Sequence, residues 1–245
     1  FFLLSFHAYP HLHMGSSNRH SDRANELYTN GITDFETVLN NRGYNGVTYP
    51  KKYLICTENN APRRSINGNF GGIEAQRNYI IKSFVASQKK GMLQTQLYCL
   101  GDLQPYNTAT DPFDVMGLYA NLHNIGPLWN GGQYLQQMMD SGIAFKTTSQ
   151  KLSGYRFNAT LTTALNLPVT VDGAAFTSGT DIIYVLWAKT ATDNSENASA
   201  VYSIPATANP TDQLYKYEWN ASVTGLSATV SKNNIALTGS PVFLK

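Results

Sequence analysis

The strongest constraint on the fold is the order of apolar and amphipathic stretches in residues 1–152. Short, almost continuous apolar runs at residues 1–6, 53–56 and 92–100 are typical of strands buried on both faces. Helix patterns lie between them, the clearest at residues 73–88. Strands that alternate with helices predict a parallel sheet. Eight such strands in about 250 residues make a complete (β/α)8 barrel, so three strands predict only its C-terminal portion.

Three local signals refine the helices of this part. Residues 21–28 are predicted as a short helix, and the capping-box form Thr33-Asp-Phe-Glu36 predicts the start of another. Gly43 is then expected to end that helix. Residues 111–122 and 133–152 are predicted as further helical or mixed segments, with Gly142 as an interruption.

The pattern changes at Tyr155, where short strand-like segments replace helices. Turn signals such as Ser178-Gly179 and Asn233-Asn234 separate seven of these segments, which predicts a small antiparallel β-sandwich. The fold class is therefore α/β plus all-β, with residues 1–153 as the barrel portion and residues 154–245 as an accessory domain. The predicted strands are residues 155–163, 169–176, 181–189, 200–204, 214–219, 228–231 and 235–244.

Composition excludes several classes of protein. The net charge is +2 and no run of Lys or Arg occurs, so nucleic-acid binding is not expected. No apolar run approaches the length of a membrane span. Charged residues make up only 14% of the chain and three sequons begin at Asn158, Asn197 and Asn220, which favours a secreted or extracellular protein. The start at Phe1, without Met, indicates a mature product or a piece of a longer protein.

No metal site and no cofactor are predicted. His7, His11 and His13 straddle a proline and lack an accompanying set of Asp or Cys residues. The two cysteines, Cys56 and Cys99, lie in apolar runs, where buried free thiols are favoured over a disulfide between neighbouring strands.

The stretch Lys52–Arg63 carries the main functional signal. Glu58 lies where the apolar character of the predicted strand stops, and the Asn-rich sequence up to Pro62 prevents the strand from continuing. In a parallel barrel, catalytic side chains follow the carboxyl ends of strands. Glu58 is therefore a candidate catalytic carboxylate, and the alternative is a solvated carboxylate that only follows a strand.

Three strand ends and the chain terminus together resemble a known group of enzymes. The stretches are Ser5-Phe-His7-Ala-Tyr9-Pro10, Ile55-Cys-Thr57-Glu58, Gln96-Leu-Tyr98-Cys-Leu-Gly-Asp102 and residues 235–244. Their order resembles the C-terminal part of the clan A glycoside hydrolases, in which the last three barrel strands precede a small β-sandwich. Tyr98 stands where those enzymes often have Trp, and residues 235–244 match the closing strand of their sandwich.

This resemblance implies a retaining glycosidase with Glu58 as its nucleophile and a carbohydrate as its substrate. The hydroxyl of Tyr9 would favour the ionised form of Glu58, and His7 would contact a sugar hydroxyl or brace the site. Tyr98 would stack on a pyranose ring or only pack in the barrel, and Asp102 would be a ligand or a turn residue. The full set of expected substrate-binding residues is His7, Tyr9, Asn59, Asn60, Arg63 and Tyr98.

The second carboxylate of such an enzyme is missing from the sequence. No predicted strand ends in Asn-Glu, and the remaining glutamates fall in helices, turns or exposed strand positions: Glu26, Glu36, Glu74, Glu196 and Glu218. The resemblance therefore implies that the acid/base comes from an N-terminal remainder of the barrel, or from another chain that completes the barrel. The alternative is a non-catalytic carbohydrate-binding or structural extracellular protein that has kept part of a hydrolase scaffold.

Overall fold

Three parallel strands with two helices between them form the first part of the fold. A computed structural model describes residues 2–120 and 137–245. Strands β1 (Leu3–Ala8), β2 (Tyr53–Asn59) and β3 (Gln94–Leu97) form one sheet in the order β1-β2-β3. Helices α1 (Ser21–Asn41) and α2 (Ile73–Lys89) connect them. The predicted alternation of strands and helices is confirmed here, although β2 runs three residues beyond the predicted strand, through Glu58 to Asn59.

Only one face of this parallel sheet is covered by described residues. Leu54 and Cys56 of β2 pack under α1 and α2, against Tyr28 and Tyr79. The alternate residues point the other way, and Tyr53 there is 50% exposed. The burial on both faces that the apolar runs predict is therefore present on the helix side alone.

Helix α1 corrects the predicted capping box. The hydroxyl of Thr33 donates to the carbonyl of Thr29 at 3.0 Å, as it does inside a continuous helix, and Glu36 pairs with Lys90 at 3.5 Å. A buried stripe that includes Tyr28 and Ile32 explains the continuity, because packing of an apolar face stabilises a helix more than a local cap does. Gly43 follows the helix end with φ +85°, as predicted.

The described residues between β3 and the next helix, 98–120 and 137–139, are mostly irregular. It holds a 3₁₀ turn at Pro112–Val115 and a short pair of strands, β4 (Tyr119–Ala120) and β5 (Gln137–Met138), before α3 (Asp140–Leu152). Gly142 does not interrupt α3, contrary to the prediction. It allows close packing instead, because a Cβ there would lie 2.5 Å from the carbonyl oxygen of Leu118. Predictions for residues 121, 122 and 133–136 lie outside the described residues.

An antiparallel sheet dominates the rest of the chain. Its strands are β6 (Arg156–Phe157), β7 (Val171–Ser178), β8 (Asp181–Ala188), β9 (Ser199–Tyr202), β10 (Gln213–Tyr217), β11 (Ala228–Ser231), β12 (Ile235–Thr238) and β13 (Val242–Leu244). Six of them pair in the order β11-β10-β13-β8-β7-β6, and β9 pairs with β12 in a separate two-stranded sheet. Two short helices, α4 (Ala159–Ala164) and α5 (Ala221–Thr224), lie between strands.

Two of the predicted strands are wrong in this region. Residues 155–163 form β6 and then α4, because the side-chain oxygen of Asn158 accepts the amide of Leu161 at 2.9 Å and starts a helix. Residues 235–244 form two strands, since Gly239-Ser240-Pro241 separates them. The first, β12, pairs with β9, and the second, β13, lies between β8 and β10.

Both faces of the six-stranded sheet are covered. One face, with Leu186 and Leu244, packs with Leu237 of β12. The other face, with Val185 and Trp187, packs against α2 and α3. The antiparallel sheet therefore shares an apolar core with the helices that flank the parallel sheet.

A buried ion pair lies at this junction. The Nζ atom of Lys82, on α2, is 3.0 Å from Oδ2 of Asp22, on α1, and the Lys82 side chain is 0% exposed. Asp22 also accepts the indole N–H of Trp187 and the backbone N–H of Thr190, each at 2.8 Å. One carboxylate thus connects two helices with the end of β8.

Candidate active site

Glu58 emerges from β2 at an irregularity in the pairing of β1 with β2. Phe6 pairs with Cys56, but the next residue, His7, pairs with Glu58, so Thr57 is an extra residue in β2. Without this bulge, Glu58 would lie on the same face as Cys56, under the helices, because side chains alternate along a strand. The bulge places the carboxylate beside His7, with the side chain 35% exposed.

The carboxylate of Glu58 has two neighbours from the end of β1. The hydroxyl of Tyr9 donates to Oε2 of Glu58 at 2.5 Å, and Nδ1 of His7 lies 3.2 Å from the same oxygen. Burial, and then the hydrogen bond to Glu58, raise the pKa of Tyr9 well above its usual value. Tyr9 therefore stays a neutral hydroxyl, which can donate to an ionised carboxylate. The structure brings together the three residues that sequence reasoning grouped.

Asn59 and Asn60 are placed differently from expectation. Both side chains are fully buried, so neither is open to a substrate. Oδ1 of Asn59 accepts the hydroxyl of Tyr79 at 2.5 Å. Nδ2 of Asn60 donates to the carbonyls of Tyr98 and Met116, at 2.6 and 2.8 Å. The hydrogen bonds of these two side-chain amides link the end of β2 to α2 and to the chain after β3.

Arg63 is also buried, and Asp102 is its counter-ion. Nη1 of Arg63 donates to Oδ1 of Asp102 at 3.1 Å, and Nη2 donates to Oδ2. Asp102 additionally accepts the backbone N–H of Gly117 at 2.9 Å. The pair therefore links the loop after β2 to the loop after β3, instead of presenting the guanidinium to a ligand.

Tyr98 lies directly after β3, beside Tyr9. The two ring centroids are 6.0 Å apart, and the planes meet at 86°. Tyr98 is partly exposed at the strand end, so a ring surface lies near the carboxylate.

The adjacent Cys99 and the buried Cys56 are both free thiols, and burial raises the pKa of each to about 11.

Sequence reasoning missed Phe113 near Tyr9, and it considered His11 only as a metal ligand. Phe113, in the 3₁₀ turn, has its ring centroid 4.7 Å from that of Tyr9. His11 is buried beside both rings, and its burial lowers its pKa to about 4. Neither ring nitrogen of His11 has a hydrogen-bond partner among the described residues. The only sequence signal for Phe113 is the Asp111-Pro112 turn before it.

Within residues 2–120 and 137–245, no second carboxylate hydrogen-bonds or ion-pairs with Glu58, Tyr9 or His7. Two further carboxylates, Asp111 and Asp114, lie in the turn of Phe113 and act electrostatically on Tyr98. The glutamates excluded from the acid/base role have other partners: Glu26 with Arg23, Glu36 with Lys90, Glu74 with Arg77, Glu196 with Ser21, and Glu218 with Lys216.

The described residues contain no group of three His, Cys, Asp or Glu side chains that could hold a metal. Glu58 and Tyr9 offer one carboxylate and one neutral hydroxyl donor beside an aromatic wall.

A cleft of about 830 Å³ lies elsewhere, between α1, α2 and the end of β8. His20, Glu26, Lys89 and Asp172 are among its lining residues, and Glu58 is not. The surroundings of Glu58 form an open surface, because described residues leave the adjacent face of the parallel sheet uncovered.

Comparisons with known proteins identify the fold but no family. No family model matches the sequence, and no protein of the curated set does either. The structure is similar to part of a family 39 glycoside hydrolase from the gut symbiont Bacteroides cellulosilyticus WH2. The TM-score is 0.56 at 16% identity, over 79% of this chain and 33% of that one. The fold of this chain is therefore like that of part of this family 39 enzyme.

Two further solved structures are more distant. A conserved exported protein from Bacteroides fragilis aligns with a TM-score of 0.46 at 9% identity, over 100% of this chain and 46% of that one. A family 30 endoxylanase from Clostridium papyrosolvens C71 aligns with a TM-score of 0.41 at 15% identity, over 79% and 42%. Likenesses at this level do not add to the argument for the fold. The chain spans a third to just under half of the length of these three proteins.

No described helix combines the length and the apolar character that crossing a membrane would need.

Proposed function

We propose that this chain carries the nucleophile, Glu58, of a retaining glycoside hydrolase that acts on a polysaccharide or oligosaccharide. The observation that carries the proposal is the hydrogen bond from Tyr9 to the Glu58 carboxylate, at the carboxyl end of the middle parallel strand. Parallel α/β barrels keep their chemistry at this end. The likeness of the fold to part of a family 39 enzyme supports the same reading.

The chemistry requires a second carboxyl group. In a retaining mechanism, one carboxylate attacks the anomeric carbon while an acid about 5–5.5 Å away protonates the leaving oxygen. Having given its proton to the leaving oxygen, the same group then acts as a base and deprotonates the water that releases the sugar from its ester with the nucleophile. Glu58 would form that ester, Tyr9 would stabilise its anionic form, and His7 would orient it or contact a sugar hydroxyl.

The architecture of the proposed enzyme follows from the uncovered sheet. Residues 1–153 would be the C-terminal portion of a (β/α)8 barrel, and residues 154–245 an accessory β-sandwich. Further barrel strands, from the same chain or from another, would cover the exposed face and supply the acid/base. A secreted, cell-surface or periplasmic location is proposed from the low charge and the three sequons.

Covalent labelling tests the nucleophile directly. A mechanism-based epoxide sugar probe should modify the full-length protein at Glu58, as peptide mass spectrometry would show. Labelling should disappear in Glu58→Gln and persist in Glu218→Gln, which changes an exposed glutamate of the antiparallel region. Unchanged labelling of Glu58→Gln would show that another residue is the nucleophile.

A non-catalytic carbohydrate-binding protein is the second candidate. It is favoured by the lack of a second carboxylate in contact with Glu58, Tyr9 or His7 among the described residues. Intact mass and turnover of the purified protein distinguish the two. A protein of 27.0 kDa that binds glycans without turnover would support this candidate, whereas a larger, active protein would support the hydrolase.

A further inference from the structure

Phe113 packs against three other aromatic rings beside Glu58. Its ring makes edge-to-face contacts with Tyr9, His11 and Tyr98, at centroid distances of 4.7, 5.4 and 6.0 Å. The interplanar angles are 79°, 72° and 83°, in the arrangement that aromatic pairs prefer. Of these four rings, Phe113 alone has no polar atom.

The orientation of Tyr9 depends on such contacts. Tyr9 follows the last residue of β1, so the strand ladder does not hold it. Its hydroxyl must nevertheless reach Oε2 of Glu58 at 2.5 Å. Packing of the ring restricts its two side-chain torsions and so fixes where the hydroxyl points. Phe113 makes the closest ring contact with Tyr9.

The turn that carries Phe113 is held by its own cap. Oδ1 of Asp111 accepts the backbone N–H of Phe113 at 2.9 Å, and Oδ2 of Asp114 accepts the N–H of Asp111 at 3.3 Å. This reciprocal pair is a capping box, which defines the start of the 3₁₀ turn.

Buried groups from the loops that follow β2 and β3 hold the other end of the turn. The backbone N–H of Arg63 donates to the carbonyl of Val115 at 2.9 Å, and Nδ2 of Asn60 donates to Met116 at 2.8 Å. Asp102, the partner of Arg63, accepts the N–H of Gly117 at 2.9 Å. Residues that lie just beyond the candidate nucleophile thus fix the segment that returns to pack on Tyr9.

We propose that Phe113 is a positioning residue, which acts on Glu58 through its contact with Tyr9. Asn60 and the Arg63–Asp102 pair hold the turn that places Phe113 against Tyr9. The inference rests on the proposed function, because it concerns the same carboxylate. It gives a role to the buried Asn60 and Arg63, whose side chains are closed to a substrate.

A double-mutant cycle in the full-length protein tests this role. We expect Phe113→Leu to lower kcat by about tenfold or more with little change in KM, and Phe113→Tyr to retain about a third or more of kcat. In a Tyr9→Phe background, Phe113→Leu should reduce kcat by no more than about twofold further. Equal losses in both backgrounds would overturn the proposal, since Phe113 would then not act through Tyr9.

Phe157→Leu is the matched control. Phe157 is also partly buried and makes an edge contact with Phe176 at 6.3 Å, but it lies in the antiparallel sheet. Its kcat should stay within about threefold of wild type. A loss in Phe157→Leu as large as that in Phe113→Leu would point to general loosening and overturn the proposal. Phe113→Met replaces Phe113→Leu if the latter does not fold.

A second measurement does not depend on glycosidase activity. In protein with ¹³Cζ-labelled tyrosine, the chemical shift of the Tyr9 resonance at pH 7, assigned with Tyr9→Phe, reports the hydrogen bond from its hydroxyl to Glu58. Glu58→Gln removes the carboxylate and Phe113→Leu removes the ring that orients Tyr9, so each should shift this resonance. A shift in Glu58→Gln without one in Phe113→Leu would overturn the positioning role. If only the proposed function were wrong, turnover and labelling would be absent, but both variants would still shift the Tyr9 resonance.

Discussion

The two main sheets bury their strands in different ways. In β8, the consecutive residues Tyr184 to Trp187 are all at most 1% exposed, because helices cover one face and β9 with β12 cover the other. In β2, Leu54 and Cys56 are buried, whereas Tyr53 is 50% exposed. Both strands are continuous apolar runs in the sequence. The difference indicates that β2 has a sequence suited to a second covering layer, which the described residues do not supply.

The largest expected effect comes from a variant that breaks the junction between the parallel and the antiparallel sheet. Asp22→Ala leaves the ammonium group of Lys82 buried without its carboxylate, so the free energy of unfolding should fall by about 3–5 kcal/mol. Urea unfolding followed by circular dichroism measures it. Glu26→Ala is the control, because it removes an exposed pair with Arg23 and should cost less than about 1 kcal/mol. Equal effects of the two variants would show that the junction does not depend on the buried pair.

A second prediction compares the same residue type in the two sheets. Ile183→Ala, in β8, should destabilise the protein by about 2–5 kcal/mol, because Ile183 is buried in a packed core. Ile55 lies on the uncovered face of β2, between Leu54 and Cys56. If further strands complete the barrel in the full-length protein, Ile55→Ala should cost a similar amount. A loss below about 1 kcal/mol for Ile55→Ala would contradict a covered face.

The third prediction concerns the effect of pH on stability at the end of the parallel sheet. Burial lowers the pKa of His11 to about 4 from 6.5, so the unfolded chain binds a proton between these values and the folded protein does not. The contribution of neutral His11 to stability is complete above pH 6.5 and is lost as the pH falls to 4. At 1.36 kcal/mol for each pH unit, the loss is roughly 3 kcal/mol.

Unfolding free energies at pH 7 and pH 4 measure this difference in wild type and in His11→Phe. The variant should lose less stability on acidification, and His13→Gln, which removes only the smallest of the influences on the pKa of His11, should change the pH dependence much less than His11→Phe does. Asp111 and His13 are the charged or titratable groups that act on His11. An unchanged pH dependence in His11→Phe would show that His11 is not the group that titrates.

The order of elements was accessible to sequence reasoning because it depends on local patterns. Helix α2 was predicted to within one residue at its end, since its apolar stripe recurs with the helical period and Lys89 to Gly91 end it. The predicted break of α1 at Thr33 failed because the cap competes with a buried stripe that only packing on the sheet creates. The predicted strand at residues 235–244 failed because its two halves pair with different strands.

In the candidate site too, local patterns predicted some features and long-range contacts decided the others. His7, Tyr9 and Glu58 could be grouped because the carboxyl ends of neighbouring parallel strands meet at one edge of a sheet. Asn60 and Arg63 were expected to face a ligand, because polar residues beyond a strand end are usually exposed. Burial of both follows from contacts with residues about 40 to 56 positions further along the chain, which no local pattern reveals.

The sequence by itself determined the alternating strands and helices, the later change to short antiparallel strands, and a carboxylate at the end of β2. These features follow from side-chain periodicity and turn chemistry, which act over a few residues. Only the tertiary structure decided that Thr57 is bulged, that Phe113 packs on Tyr9, and that Arg63 pairs with Asp102. Each of these depends on the register and packing of segments far apart in the chain, where burial and long-range hydrogen bonds select one arrangement.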